Sequence, residues 1–170
     1  GQYNFLNVVA ALCVAKYFEV PEQDAINAIE AYQPKDMRSQ LIKTDKYHII
    51  LAAYNANPDS MEVAIKSLSA AEKTESVVIL GDMMELGEMT EIEHEKLGEI
   101  AVDLGISKRF YCGKYIQAAK KTDKFGKFFD TKADLLAYLK EHNIKEGSTI
   151  LIKGSRKNAL EDLVPYFSNL

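Results

Sequence analysis

Residues 54–61 read Tyr54-Asn55-Ala56-Asn57-Pro58-Asp59-Ser60-Met61, a short polar connection between an apolar run and an amphipathic helical pattern. The apolar run, Tyr47 to Ala53, predicts a buried strand. Asn57 suits the N-cap of the helix that follows, and Pro58 suits its first position because the N–H that proline lacks would have no helical partner there. Polar connections at the carboxyl ends of strands bind ligands in open α/β sheets. Capping accounts only for Asn57, so Tyr54 and Asn55 become candidate binding residues.

Strand and helix patterns alternate along the rest of the chain from about residue 37 onward. This alternation predicts a Rossmann-like α/β domain with a mostly parallel sheet and helices on both faces. The first two strands are close enough for a hairpin, which predicts one antiparallel edge strand. The predicted strands are Ser39–Lys43, Tyr47–Ala53, Ser76–Leu80, Lys108–Cys112, Lys127–Phe129 and Thr149–Ile152. The predicted helices are Pro58–Ala71, Glu91–Leu104, Tyr115–Lys121, Lys132–Glu141 and Arg156–Phe167.

Two further helices are predicted before this domain. The first begins near Phe5 and is apolar nearly all round, which predicts that it is buried. The second opens at Pro21 and is predicted to bury Ala25, Ile26, Ile29 and Tyr32. Because the stretch 33–36 interrupts both patterns with a proline, it predicts a linker. We therefore expect residues 1–36 to be the end of a neighbouring domain and residues 37–170 to form a domain of their own.

Composition bounds the classes of function. Hydrophobic residues make up 47% of the 170 residues, enough for a substantial core, and the net charge of −4 without a lysine or arginine run argues against nucleic acid as a partner. The sequence shows neither an apolar stretch of bilayer length nor a signal peptide, so we expect a cytoplasmic protein without a membrane span. Cys13 and Cys112 lie in apolar segments, which predicts two buried free thiols and no metal site.

Two more connections follow predicted strands. The first is Gly81-Asp82-Met83-Met84-Glu85-Leu86-Gly87, in which Asp82 and Glu85 either reach toward a ligand or are solvated acids of a structural loop. The second is Lys153-Gly154-Ser155-Arg156, whose charges suit a carboxylate or phosphate and whose serine can cap the last helix. An ordinary basic turn is the alternative, and the strand-end position favours an anion site.

The helix after the first of these connections has a predicted capping box, Thr90 with Glu93, and a predicted C-terminal glycine, Gly105. His94 lies near the apolar face of this helix. A packed, hydrogen-bonded histidine is favoured over a catalyst, because neither a nucleophile nor a metal cluster accompanies it.

Near the amino terminus, Asn4 suits an N-cap and Asn7 lies among apolar residues. A carboxamide can bond to an adenine edge or to the backbone, and chemistry alone leaves both open. Arg38, taken by itself, reads as a surface arginine.

Together these segments resemble the Mur ligase family, and within it the type that adds D-alanyl-D-alanine to UDP-N-acetylmuramoyl-tripeptide. The matching motifs run in the family's order along nearly the whole chain. They are Gly1-Gln2-Tyr3-Asn4 with Asn7-Val8-Val9-Ala10-Ala11, then Arg38, Tyr54–Met61, Gly81–Gly87 with Glu93-His94, and Lys153–Arg156.

The resemblance implies a three-domain enzyme that forms an amide bond through an acyl phosphate, using ATP and Mg²⁺. It implies that residues 1–36 are the last helices of the central ATP-binding domain. Nucleotide-binding roles are implied for Asn4, Asn7 and Arg38. Substrate-binding roles are implied for Tyr54, Asn55, Asn57, Lys153, Ser155 and Arg156, with Asp82, Glu85 and His94 as candidate loop contacts. No catalytic residue and no metal ligand is assigned in this chain.

The sequence departs from the family pattern in several places. The Gly-Lys-Thr phosphate loop, the metal ligands and the UDP-binding domain are missing, so we expect a carboxyl-terminal portion that neither holds ATP stably nor ligates alone. Tyr3 replaces a customary histidine, and Ala52 stands where relatives carry an aspartate. Ala52 suggests an alternative, a degenerate relative with an assembly or regulatory role. A receiver-type signalling module fits less well, because the expected acids after the first strand are absent.

Overall fold

The structure, a computed structural model, describes residues 5–32, 36–70 and 75–169. The chain divides into two compact units, Gly1–Pro34 and Lys35–Leu170. The described part of the first unit contains two helices, α1 (Phe5–Tyr17) and α2 (Glu22–Ala31). The predicted linker lies outside the described residues except for Asp36.

The second unit is the predicted α/β domain. Its strands are β1 (Gln40–Lys43), β2 (His48–Ala52), β3 (Ser76–Gly81), β4 (Lys108–Cys112), β5 (Lys127–Phe129) and β6 (Thr149–Lys153). Its α-helices are α3 (Pro58–Ala70), α4 (Thr90–Asp103), α5 (Lys132–Glu141) and α6 (Val164–Ser168). The sheet order is β1-β2-β6-β3-β4-β5, with β1 antiparallel to β2 and the other pairs parallel. The predicted fold class, including the antiparallel edge strand, is confirmed.

Each face of the sheet carries its own hydrophobic core. Along β3, Val77 and Ile79 belong to the core on one face, and Val78 and Leu80 belong to the core on the other. The first core is closed by α5 and the carboxyl-terminal helices, and the second by α3, α4 and the 3₁₀ helix Ile116–Lys121. Because both faces are covered, the central strands are apolar at nearly every position, as the sequence showed.

The topology brings distant parts of the sequence together. The last strand, β6, inserts between β2 and β3 and pairs in parallel with both. Ala52 is the register partner of Lys153, and Lys153 is the register partner of Leu80. The connections that leave these three strands therefore meet at one edge of the sheet.

The helix starting at Pro58 is correctly predicted from the sequence. The Asn57 side-chain oxygen accepts from the Ser60 N–H at 2.8 Å, which is the expected N-cap bond. Gly105 has a φ of +66°, the left-handed conformation expected after the end of α4.

Three local predictions are wrong. The single helix expected over Arg156–Phe167 is broken into the 3₁₀ helices Arg156–Asn158 and Leu160–Leu163 and then α6, because Ala159 is left-handed with φ 47° and ψ 45°. The predicted capping box does not form, since the Thr90 hydroxyl donates to the Gly87 carbonyl and Glu93 pairs with Lys96. The Ser155 hydroxyl does not cap a helix but donates to the Asn158 side chain at 2.9 Å.

The burial predicted for the opening helices is also wrong within this chain. None of the residues of α1 is buried, Cys13 is exposed, and in α2 only Ala25 is buried. Only Cys112 fits the prediction of buried thiols, and burial raises the pKa of its thiol to about 12. A pattern that is apolar on every side shows that a helix is hydrophobic, but it does not show which surface the helix packs against.

Candidate functional site

Three polar connections converge at the carboxyl edge of β2, β6 and β3. The Lys153 Nζ, at the end of β6, donates to the Asn55 carbonyl after β2 at 3.0 Å. The Ser155 N–H, also after β6, donates to the Asp82 carbonyl after β3 at 2.9 Å. The sequence therefore singled out segments that form one continuous surface in the folded domain.

Lys153 is the central cation of this surface. Its side chain leaves the end of β6 and is 5% exposed, so little water remains to solvate its charge. Burial lowers the pKa of Lys153 to about 8. A lysine held in this way carries a strong field toward any anion that approaches the edge, because the surroundings screen it weakly.

Ala52 lies beside Lys153 in the parallel register, and both are buried. We expect Ala52→Asp to raise the pKa of Lys153 toward 10.5, since a neighbouring carboxylate stabilises the ammonium form. Titration of the lysine side-chain resonances by NMR measures the change. Ala137→Asp, at an exposed position on α5, is the control and should leave the pKa of Lys153 where it was.

Asp82 is committed to the backbone of the next connection. Its Oδ1 accepts from the N–H groups of Tyr115 and Ile116, each at 2.8 Å, and its Oδ2 accepts from the Lys114 N–H at 3.1 Å. The carboxylate thus accepts from the backbone N–H groups at the start of the 3₁₀ helix Ile116–Lys121, which have no partner within the helix. Asp82 holds two loops together in this structure, and its proposed contact with a ligand stays a prediction.

Asn158 was not singled out from the sequence. Its side-chain oxygen accepts from the Ser155 hydroxyl, and its Nδ2 lies 3.4 Å from the Asp82 Oδ2. A Cβ added to Gly81 would lie 2.7 Å from the same Asn158 oxygen, so a larger residue there would force the Asn158 side chain to move. Asn158 was missed because it lies within the predicted helix Arg156–Phe167. Nothing in that helical pattern indicated that Asn158 contacts the connections that contain Gly81 and Gly154.

The two arginines of the prediction both reach this edge. The Arg38 guanidinium lies 4.0 Å above the centre of the Tyr54 ring, a cation–π contact between two residues predicted for different ligands. The Arg156 Nη1 donates to the Met37 sulfur at 3.0 Å and to the Glu161 carboxylate at 2.6 Å. The Arg156 side chain remains 60% exposed. Arg38, Arg156 and Lys153 therefore make this edge attractive to anions.

The remaining predicted substrate residues also lie in these connections. Asn55 is exposed, with its Oδ1 accepting from the Ala56 N–H at 2.8 Å. Asn57 is occupied by capping α3, and Ser155 is buried against Asn158. Binding roles for these three residues stay predictions.

The connection between β3 and α4 has an open groove on each side. One groove of about 550 Å³ is bounded by the start of α3 and by Glu85, and another of about 850 Å³ is bounded by Glu85, Lys114 and Tyr115. Glu85 is exposed and has a left-handed φ of 63°. Its exposure to solvent is compatible both with a contact to a ligand and with a solvated acid of a structural loop.

His94 is buried and fixes the same connection. Its Nε2 accepts from the Met83 N–H at 2.9 Å, so the Nδ1 carries the proton and donates to the Thr90 carbonyl at 2.6 Å. This geometry agrees with the favoured interpretation of a packed, hydrogen-bonded histidine. Burial lowers the pKa of His94, because the charged imidazolium would lose solvation and would oppose the Met83 N–H.

We expect the domain to lose stability as the pH falls below about 6.5, the pKa of an unperturbed histidine. Above that pH, both folded and unfolded chains hold His94 neutral. Below it, the unfolded chain takes up the proton first, so the free energy of unfolding should fall by up to about 1.4 kcal/mol per pH unit. Urea unfolding between pH 7.5 and about 5.5 measures this slope. His94→Gln should reduce the slope, whereas the same change at exposed His48 should leave it intact.

Two predicted nucleotide residues cannot be placed at this edge. Asn4 lies outside the described residues, and Asn7 is exposed on α1, in the first unit. Within the described residues, no group of His, Cys, Asp or Glu side chains is arranged to hold a metal ion. In the same ranges, no helix combines the length and hydropathy of a membrane span.

Comparison with known proteins defines the class of this fold. Residues 37–156 match the family model described as Mur ligase, glutamate ligase domain, and the chain belongs to this family. The predicted resemblance is thereby confirmed.

Particular relatives narrow the assignment. The chain is 35% identical, over 96% of its length, to the UDP-N-acetylmuramoyl-tripeptide--D-alanyl-D-alanine ligase of Bacillus subtilis, and 32% identical over 96% to that of Escherichia coli. It spans 37% and 36% of these two proteins. A crystal structure of MurF from Acinetobacter baumannii superposes with a TM-score of 0.89 at 28% identity, covering 100% of this chain and 38% of that one.

Proposed function

We propose that this chain is the carboxyl-terminal portion of a MurF-type ligase that adds D-alanyl-D-alanine to UDP-N-acetylmuramoyl-tripeptide in the cytoplasm. The observation that carries the proposal is the convergence of the Asn55, Asp82 and Ser155 connections around Lys153 in a member of the Mur ligase family. The identities above support the D-alanyl-D-alanine type.

The organisation of the chain fits this proposal. Residues 1–36 would be the last helices of a central ATP-binding domain, and residues 37–170 the domain that closes over the substrates. The boundary between the two compact units, at Pro34 and Lys35, and the start of the family match at residue 37 support this division. The apolar surface of α1, left open in this chain, supports a place against other parts of the enzyme.

The chemistry asked of this edge is charge neutralisation and alignment. The amine of the dipeptide would attack the carbonyl carbon of an acyl phosphate formed at the peptide carboxylate, so that the amide bond forms as the acyl C–O bond breaks and inorganic phosphate leaves. The protein must therefore hold two anionic groups, the phosphate and the carboxylate of the dipeptide, close to each other. Arg38 and Arg156 offer exposed guanidinium groups that can contact a carboxylate or phosphate, and Lys153 adds a buried positive charge at the same edge of the sheet. Tyr54 fixes the Arg38 side chain by stacking.

The polar and charged side chains of this chain limit how much of ATP and Mg²⁺ it can bind by itself. In the whole enzyme, ATP would supply the phosphoryl group and Mg²⁺ would neutralise its charge. Of the residues here, Arg38 suits the ATP ribose or phosphates, with Asn4 and Asn7 for adenine, whereas the Asp82 carboxylate is already taken by three N–H groups. We therefore assign Mg²⁺ to the other domains and propose that the isolated chain holds no nucleotide stably.

Release of ADP by the full-length protein tests the function. We expect ADP release to require both UDP-N-acetylmuramoyl-tripeptide and D-alanyl-D-alanine, and to stop when a single amino acid replaces the dipeptide. The isolated 170-residue chain should release no ADP and form no product. ADP release that depends on another amine donor, or ligation by the isolated chain, would overturn the proposal.

Ala52 supports a second candidate, a degenerate relative that serves assembly or regulation. Its small side chain leaves Lys153 without a carboxylate in the neighbouring strand. The same Ala52→Asp change in the full-length protein separates the two candidates. A large gain in turnover supports degeneracy, and unchanged turnover supports an active ligase.

A further inference from the structure

A basic segment that the proposed function does not use runs from the last two residues of the 3₁₀ helix Ile116–Lys121 to the first residue of β5. Residues 120–127 read Lys120-Lys121-Thr122-Asp123-Lys124-Phe125-Gly126-Lys127, with four lysines and one aspartate in a chain whose net charge is −4. We call these eight residues the basic loop. Its charge is opposite in sign to that of the chain as a whole, so it is a local feature of the surface.

A buried carboxylate fixes the shape of the basic loop. The Asp123 side chain is fully buried and accepts from the Arg109 guanidinium at 2.6 and 3.0 Å and from the Tyr111 hydroxyl at 2.8 Å. It also accepts from the N–H groups of Phe125 and Gly126 at 3.1 and 2.8 Å. The one acid of the loop is therefore neutralised inside the domain, and its bonds hold the turn in one conformation.

This turn presents Phe125 to solvent. The Phe125 side chain is 88% exposed, the largest exposed fraction among the large hydrophobic residues described. Single exposed apolar residues are common, but this one lies at the tip of a fixed turn between lysines. The turn thus has an apolar tip with positive charge on both sides of it.

Three of the four lysines are not paired with a carboxylate in the described residues, although the Lys120 Nζ lies 5.3 Å from the centre of the Phe128 ring. Lys121 is paired with Glu91 and Glu95. Lys120, Lys124 and Lys127 are exposed, and none of them forms an ion pair with a carboxylate in the parts of the chain that the structure describes. The Lys124 amine donates to the Lys120 carbonyl at 3.0 Å, which keeps these two residues next to each other.

The basic loop lies away from the candidate site. It ends at the first residue of β5, the edge strand, which is separated from β6 by β3 and β4. Three strand spacings amount to about 14 Å. A partner bound at the basic loop would therefore leave the Lys153 edge accessible.

We propose that the basic loop binds the surface of an anionic lipid bilayer, with Phe125 entering the headgroup region and Lys120, Lys124 and Lys127 facing the lipid charges. A bilayer accepts a narrow convex turn without a matching cavity, whereas a stable protein interface needs roughly 800 Å² on each partner. Nucleic acid is disfavoured because the loop has no arginine and the chain has a pI near 5.5. The attraction is local, since the remaining surface is acidic overall.

Tryptophan fluorescence reports this contact at one position, because the chain contains no tryptophan. We expect Phe125→Trp to shift its emission to shorter wavelength, and to be quenched by brominated lipid, with vesicles of phosphatidylcholine containing about 30% phosphatidylglycerol at about 0.1 M salt. Neutral phosphatidylcholine vesicles should give no shift. The matched reporter is Leu41→Trp, 77% exposed on the opposite edge strand β1, and it should not respond to either vesicle.

Vesicle sedimentation of the 170-residue chain gives the magnitudes. Replacing Lys120, Lys124 and Lys127 with glutamine should weaken binding about fivefold per lysine, or roughly a hundredfold together. Phe125→Ser should weaken it about tenfold. The same glutamine changes at exposed Lys43, Lys140 and Lys145 are the charge-matched control and should have a much smaller effect. Because exposed α1 can adhere to vesicles of any charge, the readout is the difference between anionic and neutral vesicles.

Three results would overturn the proposal. They are equal binding of anionic and neutral vesicles, equal loss with the two lysine triples, and a polyuridylate complex that shifts the Phe125→Trp emission more strongly than anionic vesicles do. Urea unfolding of each variant shows whether it folds, and none of these exposed positions contributes to the core. These experiments measure membrane binding and not ligase activity, so their failure and the failure of the proposed function can be told apart.

Discussion

Replacing Lys153 with methionine is expected to lower the turnover of the full-length protein, in its proposed ligase reaction, at least a hundredfold while making the α/β domain of this chain more stable. The loss of turnover follows from removing a weakly screened positive charge from the edge where the proposed anions meet. Removing one preorganised charge-stabilising group commonly costs an enzyme about 10²–10³ in rate.

The gain in stability follows from the lowered pKa of the same lysine. In the unfolded chain Lys153 titrates near 10.5 and in the folded domain at about 8, so folding is opposed by about 3 kcal/mol at neutral pH. The penalty is full below pH 8 and disappears as the pH rises to about 10.5, so the free energy of unfolding should increase across that interval. Methionine keeps the length of the side chain without the charge, and the part-buried carbonyl of the exposed residue Asn55 can bond to water instead.

Two measurements check this pair of effects. Steady-state kinetics of the full-length protein give the change in turnover, and urea unfolding of the domain between pH 7 and about 10 gives the change in stability. Exposed Lys140→Met is the matched control, with no large change expected in either quantity. Equal turnover in the Lys153→Met enzyme would contradict a role in binding or catalysis, and a strong loss of stability would instead indicate a purely structural lysine.

Replacing Asp82 with alanine is expected to destabilise the domain by about 3–5 kcal/mol. The change leaves the N–H groups of Lys114, Tyr115 and Ile116 without their acceptor. The Ile116 group is buried, and leaving it unsatisfied costs about 1–3 kcal/mol, while each of the two part-buried bonds contributes about 1 kcal/mol more. Asp82→Asn keeps acceptor oxygen while removing the charge, so it should have a smaller effect. Urea unfolding measures the free energies, and hydrogen exchange of these three amides shows where protection is lost.

Glu88→Ala is the control for Asp82, because Glu88 is an exposed acid of the same connection and should change stability by no more than about 0.5 kcal/mol. A stable Asp82→Ala domain would show that the carboxylate is not needed to hold the two loops. If Asp82→Ala left the domain stable but lowered the turnover of the full-length protein, Asp82 would be a ligand contact. That is one of the two alternatives that the sequence leaves open for this residue.

Much of the fold follows from local pattern. The run Val77 to Leu80 is apolar at each position because both of its faces are covered, and the strand could be read directly from that run. Asn57 and Pro58 marked the start of α3 because a cap depends on bonds within four residues. The capping box at Thr90 failed because neighbouring carbonyl and lysine groups competed successfully for the same side chains.

The candidate site, like the fold, was predicted only in part from the sequence. Sequence reasoning found the three polar connections, because each carries asparagines, acids or lysines immediately after a strand. It did not find Asn158 or the stacking of Arg38 on Tyr54, since these contacts join residues separated by many positions in the chain. It also could not decide between a ligand contact and a structural bond for Asp82.

The sequence by itself determined the alternation of strands and helices, the polar strand ends and the family, because these depend on the order of residues and on short-range hydrogen bonding. Only the tertiary structure decided that β6 lies between β2 and β3, and with it the burial of Lys153 and the commitment of Asp82. The physical reason is that desolvation and long-range hydrogen bonds depend on which distant segments become neighbours, and strand order is fixed by how both faces of the sheet are covered.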